Sequence, residues 1–460
     1  MFTTIRRRIL FVVSIILLAG AAMIGLWQNQ HAEWQNYQQR YFERTGQPLD
    51  IRIREIVPGM TGQAELCLTC HIGLAEISTS HSIEVFGCIS CHGGNGTALQ
   101  AEEAHQGLRG GKNPSDLTVA QEICGRDCHN VLTNDDQNHV DRVMRSLQGT
   151  YAGGIAGVRF AFGAQSDEMP IYGVYEVTDA SSKTDLTQLA AFPHTSTHFI
   201  DRQFAENCLE AGCHLAEEAQ AEPYFYRSTG CATCHVIYEN DGLYQGNDPT
   251  IPRDEPGRMR LHQFTTAIPF YQCNHCHNRG NYSLRQMEFL LRDDIPPSGP
   301  PISELMPPEG RRLIEYYQPI GQFTWCEWEL DCIECHTAEE SMGNGDIYPN
   351  QIEMQYTQCQ TCHGTLEKLP DTVTVAKEHQ TALRQTQLNL HYDLQLGEQV
   401  IITKRGELMG HVKQVEDRFI LTGKVTGKTY SVNPVMGSGC QQNVEEQESR
   451  YCHECHAHER

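Results

Sequence analysis

The sequence has little apolar material and few basic residues for its length. Of its 460 residues 39% are hydrophobic, and 35 lysines and arginines against 58 aspartates and glutamates give a net charge of −23. The shortage of cations argues against nucleic acid as a partner and against attraction to an anionic membrane surface. The shortage of apolar residues indicates that something other than side chains fills part of the interior. Protein partners are expected to present cationic patches.

Long apolar runs are also scarce, since the sequence has one, over residues 9–27. Its 19 uncharged residues follow Arg6, Arg7 and Arg8 and are long enough to span a bilayer. The arginines predict that residues 1–8 form a cytoplasmic tail and that the chain from residue 28 onward is exported. A cleaved signal peptide is the alternative, because residues 19–22 are small enough for a signal peptidase.

Cysteine and histidine, by contrast, are abundant, at 20 and 22 residues. Chance predicts about 0.04 occurrences of C-x-x-C-H, the attachment pattern of c-type haem. The chain has seven. The two thiols of such a motif form thioethers to one haem, and the histidine is the proximal iron ligand. The seven motifs are Cys67/Cys70/His71, Cys88/Cys91/His92, Cys231/Cys234/His235, Cys273/Cys276/His277, Cys332/Cys335/His336, Cys359/Cys362/His363 and Cys452/Cys455/His456.

Zinc sites and a disulfide framework are alternatives, because C-x-x-C pairs occur in both. Neither explains why a histidine follows the second cysteine seven times. The repeated histidine therefore favours haem.

Two further sequences end in Cys-His with longer spacings. They are Cys124-Gly-Arg-Asp-Cys128-His129 and Cys208-Leu-Glu-Ala-Gly-Cys213-His214. A loop that bulges outward, eased by Gly125 or Gly212, would keep the two sulfurs at the usual separation. A small disulfide loop beside an incidental histidine is the alternative. We predict nine haem c groups, with seven as the minimum, and number the nine motifs 1 to 9 in chain order.

Two cysteines remain after this assignment, Cys326 and Cys440. In an exported chain two leftover thiols are most simply a disulfide, and two unrelated thiols are the alternative.

From Cys67 to His456 the chain resembles the multihaem c-type cytochromes of bacterial respiration. Besides the motifs, the segment from His81 to His92 looks like an element of such proteins in which a histidine shortly before one motif reaches a neighbouring haem. The resemblance implies a periplasmic or extracellular side, closely packed low-spin haems and electron transfer. The sequence has no C-x-x-C-K, so the lysine-ligated catalytic haem of typical ammonia-forming nitrite reductases is absent.

The second axial ligands have no motif spacing of their own. Nine proximal histidines leave 13 others, so nothing forces an iron to stay open. His194 and His198 follow Pro193 with a spacing that predicts one helix face for both. Methionine is an alternative ligand that would raise the potential of its haem. The favoured distal ligands are His81, His105, His139, His194, His198, His262, His379, His391 and His458.

The predicted fold is a multihaem cytochrome c, mostly irregular, with short α-helices wrapped around a packed haem array. The haems supply the missing core. Residues 28–60 are predicted to form a polar stalk and residues 61–390 the multihaem region, with a haem-free insert over 140–193 that has short strands near Tyr151 and Tyr172. Residues 391–436 are predicted to form a small antiparallel β unit, and residues 437–460 a C-terminal haem segment.

These features predict electron conduction from an integral-membrane quinol-oxidising subunit or a periplasmic carrier to a distal acceptor. One alternative is a reductase or oxidase that acts on a small nitrogen or sulfur compound at one open haem. Another is a subunit of a cytochrome filament, which the predicted anchor disfavours unless the segment is cleaved.

The first testable prediction concerns stoichiometry. Denatured full-length protein should retain covalently attached haem, with a mass excess of nine haem groups over the bare chain, because each of nine motifs attaches one group. Replacement of Cys124 should remove one haem. An excess of seven in the intact mass spectrum would show that the two longer spacings are not attachment sites.

Overall fold

The structure is a computed structural model in which the chain forms two compact units. One comprises residues 1–112, 244–255 and 261–263, and the other comprises residues 113–243, 256–260 and 264–460. The described residues are 2–30, 32–129, 138–179, 182–209, 214–216, 228–239, 241–277, 288–291, 317–320, 329–387 and 389–456.

The first unit begins with the helix Phe2–Gln30, which contains the predicted span over residues 9–27. Apolar side chains such as Leu10, Phe11 and Leu18 are about two-thirds exposed on this helix, at 66%, 67% and 70%. Across the part of the chain that the structure describes, no helix is long and apolar enough to cross a membrane. The predicted span continues past Met23, and the side chains of residues 24–27 lie outside the described residues.

The second helix, Glu33–Thr45, lies within the segment 28–60 that is predicted to form a polar stalk. Trp34, Gln38 and Phe42 are buried at a spacing of four, and the helix ends at Gly46, whose φ is +67°. Gln38 donates hydrogen bonds to the carbonyls of Arg52 and Thr69, at 2.7 and 2.8 Å. Because Thr69 lies inside motif 1, this helix is part of the packing around that motif.

The remaining helical segments of the first unit are short. They are the 3-10 turn Cys67–Thr69 and the helices Ile83–Phe86, Ile89–His92 and Ala101–Ala104.

The second unit is also built from short helices. Its helical segments are Leu117–Ala120, Gln121–His129, His139–Arg145, Leu147–Thr150, Ala152–Ala161, Phe199–Phe204, Ala205–Leu209, Ala232–His235, Phe270–His277, Cys332–Cys335, Ala338–Met342, Gln351–Met354, Cys359–His363, Gln380–Gln387 and Ser449–His456.

The insert over residues 140–193 is more helical than predicted. Residues Ala152–Ala161 form a helix where a strand was expected after Tyr151. The buried residues of this helix recur at i, i+3, i+4, i+7 and i+8, which is the helical period and not the strand period. Strands do follow from Tyr172 onward: β1 is Tyr172–Gly173, β2 is Val177–Thr178 and β3 is Gln188–Ala191, in the order β1-β3-β2.

The prediction that one helix carries both His194 and His198 is wrong. His194 lies in a turn, and His198 is the N-cap of the helix Phe199–Phe204. The Nδ1 atom of His198 accepts a hydrogen bond from the backbone N–H of Ile200, so this side chain starts a helix and does not lie within one.

Two sheets follow in the second unit. Strands β4 (Glu288–Leu291) and β5 (Tyr317–Ile320) form an antiparallel pair. A five-stranded sheet then has the order β10-β9-β8-β7-β6. Its strands are Thr372–Thr374 (β6), Gln399–Ile402 (β7), Leu408–Val415 (β8), Arg418–Thr422 (β9) and Thr429–Val432 (β10), all paired antiparallel.

This sheet is larger than the unit predicted over residues 391–436, because β6 adds to its edge from residues 372–374. Alternate residues of β9, Phe419 and Leu421, are buried together with Ile401 and Val412 in an apolar cluster. Cys362 of motif 8 packs against the same cluster. The sheet therefore supplies a side-chain core of its own next to a predicted haem site.

Candidate functional site

Each C-x-x-C-H motif forms a single helical turn. In motifs 1, 2, 5 and 7 the histidine N–H donates to the carbonyl of the first cysteine, at 2.9–3.1 Å. Motifs 6, 8 and 9 lie within the helices that end at His277, His363 and His456. A helical turn places residues i and i+3 on one face, so the two cysteines of a motif point to the same side. This is the arrangement that two thioethers to one haem require.

Among the second cysteines of the motifs, Cys128, Cys234 and Cys455 are exposed, and Cys91 and Cys276 are partly buried. Their assignment as attachment points depends on the motif spacing and stays a prediction.

The sulfur of Cys91 has a local contact. It lies 3.8 Å from Ser90 Oγ, a hydroxyl of the same attachment loop. Ser90 Oγ itself donates to the carbonyl of Phe86 at 2.5 Å, one helical turn earlier. The contact is therefore local, and it leaves the predicted thioether role of Cys91 untested.

In motif 3 residues Gln121–His129 form a π-helix, whose turn holds more residues than that of an α-helix. This wider turn accommodates the additional residue between Cys124 and Cys128. A Cβ at Gly125 would lie 2.9 Å from the terminal amide oxygen of Gln121, a flexible side chain that can move aside.

Several predicted residues lie outside the described part of the chain. Among them are Cys213 of motif 4, the distal candidate His458, the side chain of His277, and Cys326 of the predicted disulfide. The disulfide to Cys440 stays a prediction.

Three proximal histidines each face a second histidine from elsewhere in the sequence. The pairs are His71 with His105, His92 with His262, and His129 with His139, and their ring centroids are 6.1, 6.0 and 5.6 Å apart. An iron between two imidazoles needs centroids about 6 Å apart, from two metal–nitrogen bonds of about 2 Å and the distance of each nitrogen from its ring centre. The separations therefore fit one shared metal per pair.

The Nδ1 atoms of four proximal histidines point at oxygen atoms. His71 donates to Asp248 Oδ2, His235 to the carbonyl of Thr265 and His363 to the carbonyl of Asn433, each at 2.8 Å. In motif 7, Nδ1 of His336 lies 3.7 Å from Glu340 Oε2. A donor at Nδ1 leaves the lone pair on Nε2, which is the usual arrangement of a metal-bound histidine.

Burial keeps several of these rings neutral, and the neutral imidazole is the form that binds a metal. Burial, followed by the charges of His262, His71 and His105, lowers the pKa of His92 to about 4. Burial also lowers the pKa of His235. For His71, burial lowers the pKa, but the hydrogen bond and charge of Asp248 outweigh it and the pKa is raised.

The other distal candidates lie beside different groups. The ring of His81 packs on Phe86, and that of His194 on Phe192. His391 is exposed, next to Gly427.

His198 and His379 are placed unfavourably for ligation. The Nδ1 atom of His379 accepts a hydrogen bond from Ala376 N–H at 3.0 Å, and that of His198 accepts one from Ile200 N–H. A neutral imidazole with an acceptor at Nδ1 carries its proton on Nε2. In this arrangement neither ring offers Nε2 to an iron.

Sequence patterns did not reveal the acceptors that orient the proximal rings. Asp248 is fully buried and lies 177 residues from His71 in the sequence. Nothing in the motif spacing points to Asp248, Thr265 or Asn433, because two of the three act through a backbone carbonyl. A buried aspartate in a loop with Thr250 was the one available signal.

An apolar pocket of about 460 Å³ adjoins motif 1 in the first unit. Its lining includes Leu68 inside the attachment loop, Ile72 directly after the proximal histidine, and Leu74 and Ile83. Its size and lining are typical of sites for small molecules and cofactors.

The β sheet holds the attachment loop of motif 7. His411 Nε2 donates to the carbonyl of Glu334 at 2.9 Å, and Lys424 Nζ donates to the carbonyl of Ile333 at 2.5 Å. Both carbonyls belong to the two residues between Cys332 and Cys335. His411 therefore has a structural partner, which agrees with its absence from the favoured distal ligands.

No known protein family, curated protein or solved structure matches the chain. Its candidate sites are interpreted from their own residues and geometry.

The ring pairs generate a prediction about single substitutions. His262→Ala should open one of the nine predicted irons and create a high-spin ferric signal that binds cyanide, because the second axial nitrogen is lost. His379→Ala is the matched control, because Nδ1 of His379 accepts the Ala376 N–H, and its spectrum should equal that of the unmodified protein. Electron paramagnetic resonance of both variants checks this. An unchanged spectrum for His262→Ala would remove His262 from the ligands.

Proposed function

We propose that the chain is a membrane-anchored multihaem c-type cytochrome that conducts electrons along nine covalently bound, mostly bis-histidine haems. The observation that carries the proposal is the set of three imidazole pairs, each spaced for one iron and each containing the histidine of an attachment motif. When bound, haem would supply an iron that cycles between the ferric and ferrous states.

The chain's own residues support conduction more than bond making. The two histidines of each pair would hold the haem iron between them and would leave no ligand position for a substrate. The Nδ1 acceptors fix the orientation of the proximal rings, and Asp248 increases the basicity of His71. A fixed ligand set changes little between oxidation states, which suits one-electron transfer.

The proposed location is the outer face of the cytoplasmic membrane, with the first helix as the anchor. The exposed apolar side chains between Ile9 and Met23 support an apolar environment for that helix. The proposed donor is an integral-membrane quinol-oxidising subunit or a periplasmic carrier. The net charge of −23 favours partners with cationic docking surfaces.

Membrane attachment predicts a fractionation result. The full-length protein should sediment with membranes and stay there after a high-salt wash, because salt screens charge but does not weaken burial of an apolar helix. Detergent should release it. A soluble product that starts near residue 22 or 23 would instead identify a cleaved signal peptide.

Spectroscopy of the unmodified ferric protein separates conduction from the reductase alternative. Conduction predicts only low-spin signals, a spectrum nearly unchanged by cyanide or nitrite, and a broad range of midpoint potentials, because each haem has different burial and neighbouring charges. A high-spin signal that binds cyanide would favour a reductase that acts at one open haem.

A further inference from the structure

Cysteines from different motifs meet at three places in the structure. The sulfur atoms of Cys67 and Cys88 and a carboxylate oxygen of Glu65 lie within 4.8 Å of one another. Interaction with Cys332 raises the pKa of the Cys273 thiol, and interaction with Cys359 lowers the pKa of the Cys452 thiol. In every case both thiols are the first cysteines of their motifs. The contacts join motif 1 to motif 2, motif 6 to motif 7, and motif 8 to motif 9.

A second set of contacts holds each of these motif pairs together. The carboxylate of Glu65, two residues before motif 1, accepts the backbone N–H of Cys88 at 2.7 Å. Asp331, directly before motif 7, accepts the N–H of Phe270, three residues before motif 6, also at 2.7 Å. Ser449 Oγ, three residues before motif 9, accepts the N–H of Cys359 at 2.8 Å.

We propose that the haems of motifs 1 and 2, 6 and 7, and 8 and 9 form three nearest-neighbour pairs, within which electrons pass most readily. The pairing rests on the proposed function, because it requires the thiols to be haem attachment points. Haems attached to motifs that adjoin in this way would share an edge, and the hydrogen bonds accepted by Glu65, Asp331 and Ser449 would hold them together.

In the second unit the pairs join into a longer series. Gln272, directly before motif 6, donates to the carbonyl of Thr233 inside motif 5 at 2.6 Å. Strand β8 connects motif 7 to motif 8, since His411 contacts Glu334 and the sulfur of Met409 lies 3.9 Å from that of Cys362. Motifs 5 to 9 therefore adjoin one another in chain order, which gives one continuous route through this unit.

Removing one of these three hydrogen-bond acceptors tests the pairing, because every cysteine and histidine is kept. Two porphyrins held close together give a bisignate circular dichroism band in the Soret region, and its amplitude falls steeply with their separation. Asp331→Ala should lose part of this amplitude, because Phe270 N–H loses its acceptor. Asp331→Asn is the matched control, since its amide oxygen still accepts that bond and should preserve the band. An unchanged band in Asp331→Ala would contradict the pairing of motifs 6 and 7.

Iron positions in the unmodified protein decide the question even if a variant does not fold. An anomalous difference map at the iron edge should show that the nearest neighbours of irons 1, 6 and 8 include irons 2, 7 and 9, respectively. Another haem between the members of a pair would overturn the proposal. Intact mass separates this failure from failure of the proposed function. A chain without haem contradicts the function, whereas a full haem count with different neighbours contradicts the pairing alone.

Discussion

The structure depends on one constraint, which is that two thiols and an imidazole must be held on one short helical turn. The bond from the histidine N–H to the carbonyl of the first cysteine sets this turn in motifs 1, 2, 5 and 7. Where the sequence has an additional residue, in motif 3, the backbone adopts a π-helix. The rest of the chain provides the candidate second ligands, the hydrogen-bond acceptors for Nδ1 and the side chains around the predicted cofactors.

The candidate attachment residues follow from the sequence alone because the C-x-x-C-H motif has a fixed spacing, and their role stays a prediction. The second ligands could not be predicted with the same accuracy, because a distal ligand is defined by its position in space. His262 meets His92 although 169 other residues separate them in the sequence. His198 and His379 matched the pattern equally well, yet each uses Nδ1 to accept a local backbone hydrogen bond. The prediction of a strand after Tyr151 was wrong. The segment is rich in glycine and alanine, which makes its helical periodicity hard to recognise in the sequence.

Electrostatics and packing work together around these sites. Burial favours the neutral, metal-binding form of His92 and His235, whereas Asp248 offsets burial at His71. Different surroundings of this kind would give each iron its own potential. The five-stranded sheet contributes rigidity, because its apolar core contacts motif 8 and its side chains hold the loop of motif 7. It thus positions two predicted haems and contributes no predicted ligand.

The central claim is that the cysteine motifs carry haem iron held by histidine nitrogen, and X-ray absorption of the full-length protein tests it most directly. At the iron edge we predict six nitrogen neighbours per metal and no sulfur in the first shell, because the thiols are bound to the porphyrin and not to the metal. Zinc with sulfur neighbours at about 2.3 Å would contradict the claim, since that is the signature of a C-x-x-C metal site.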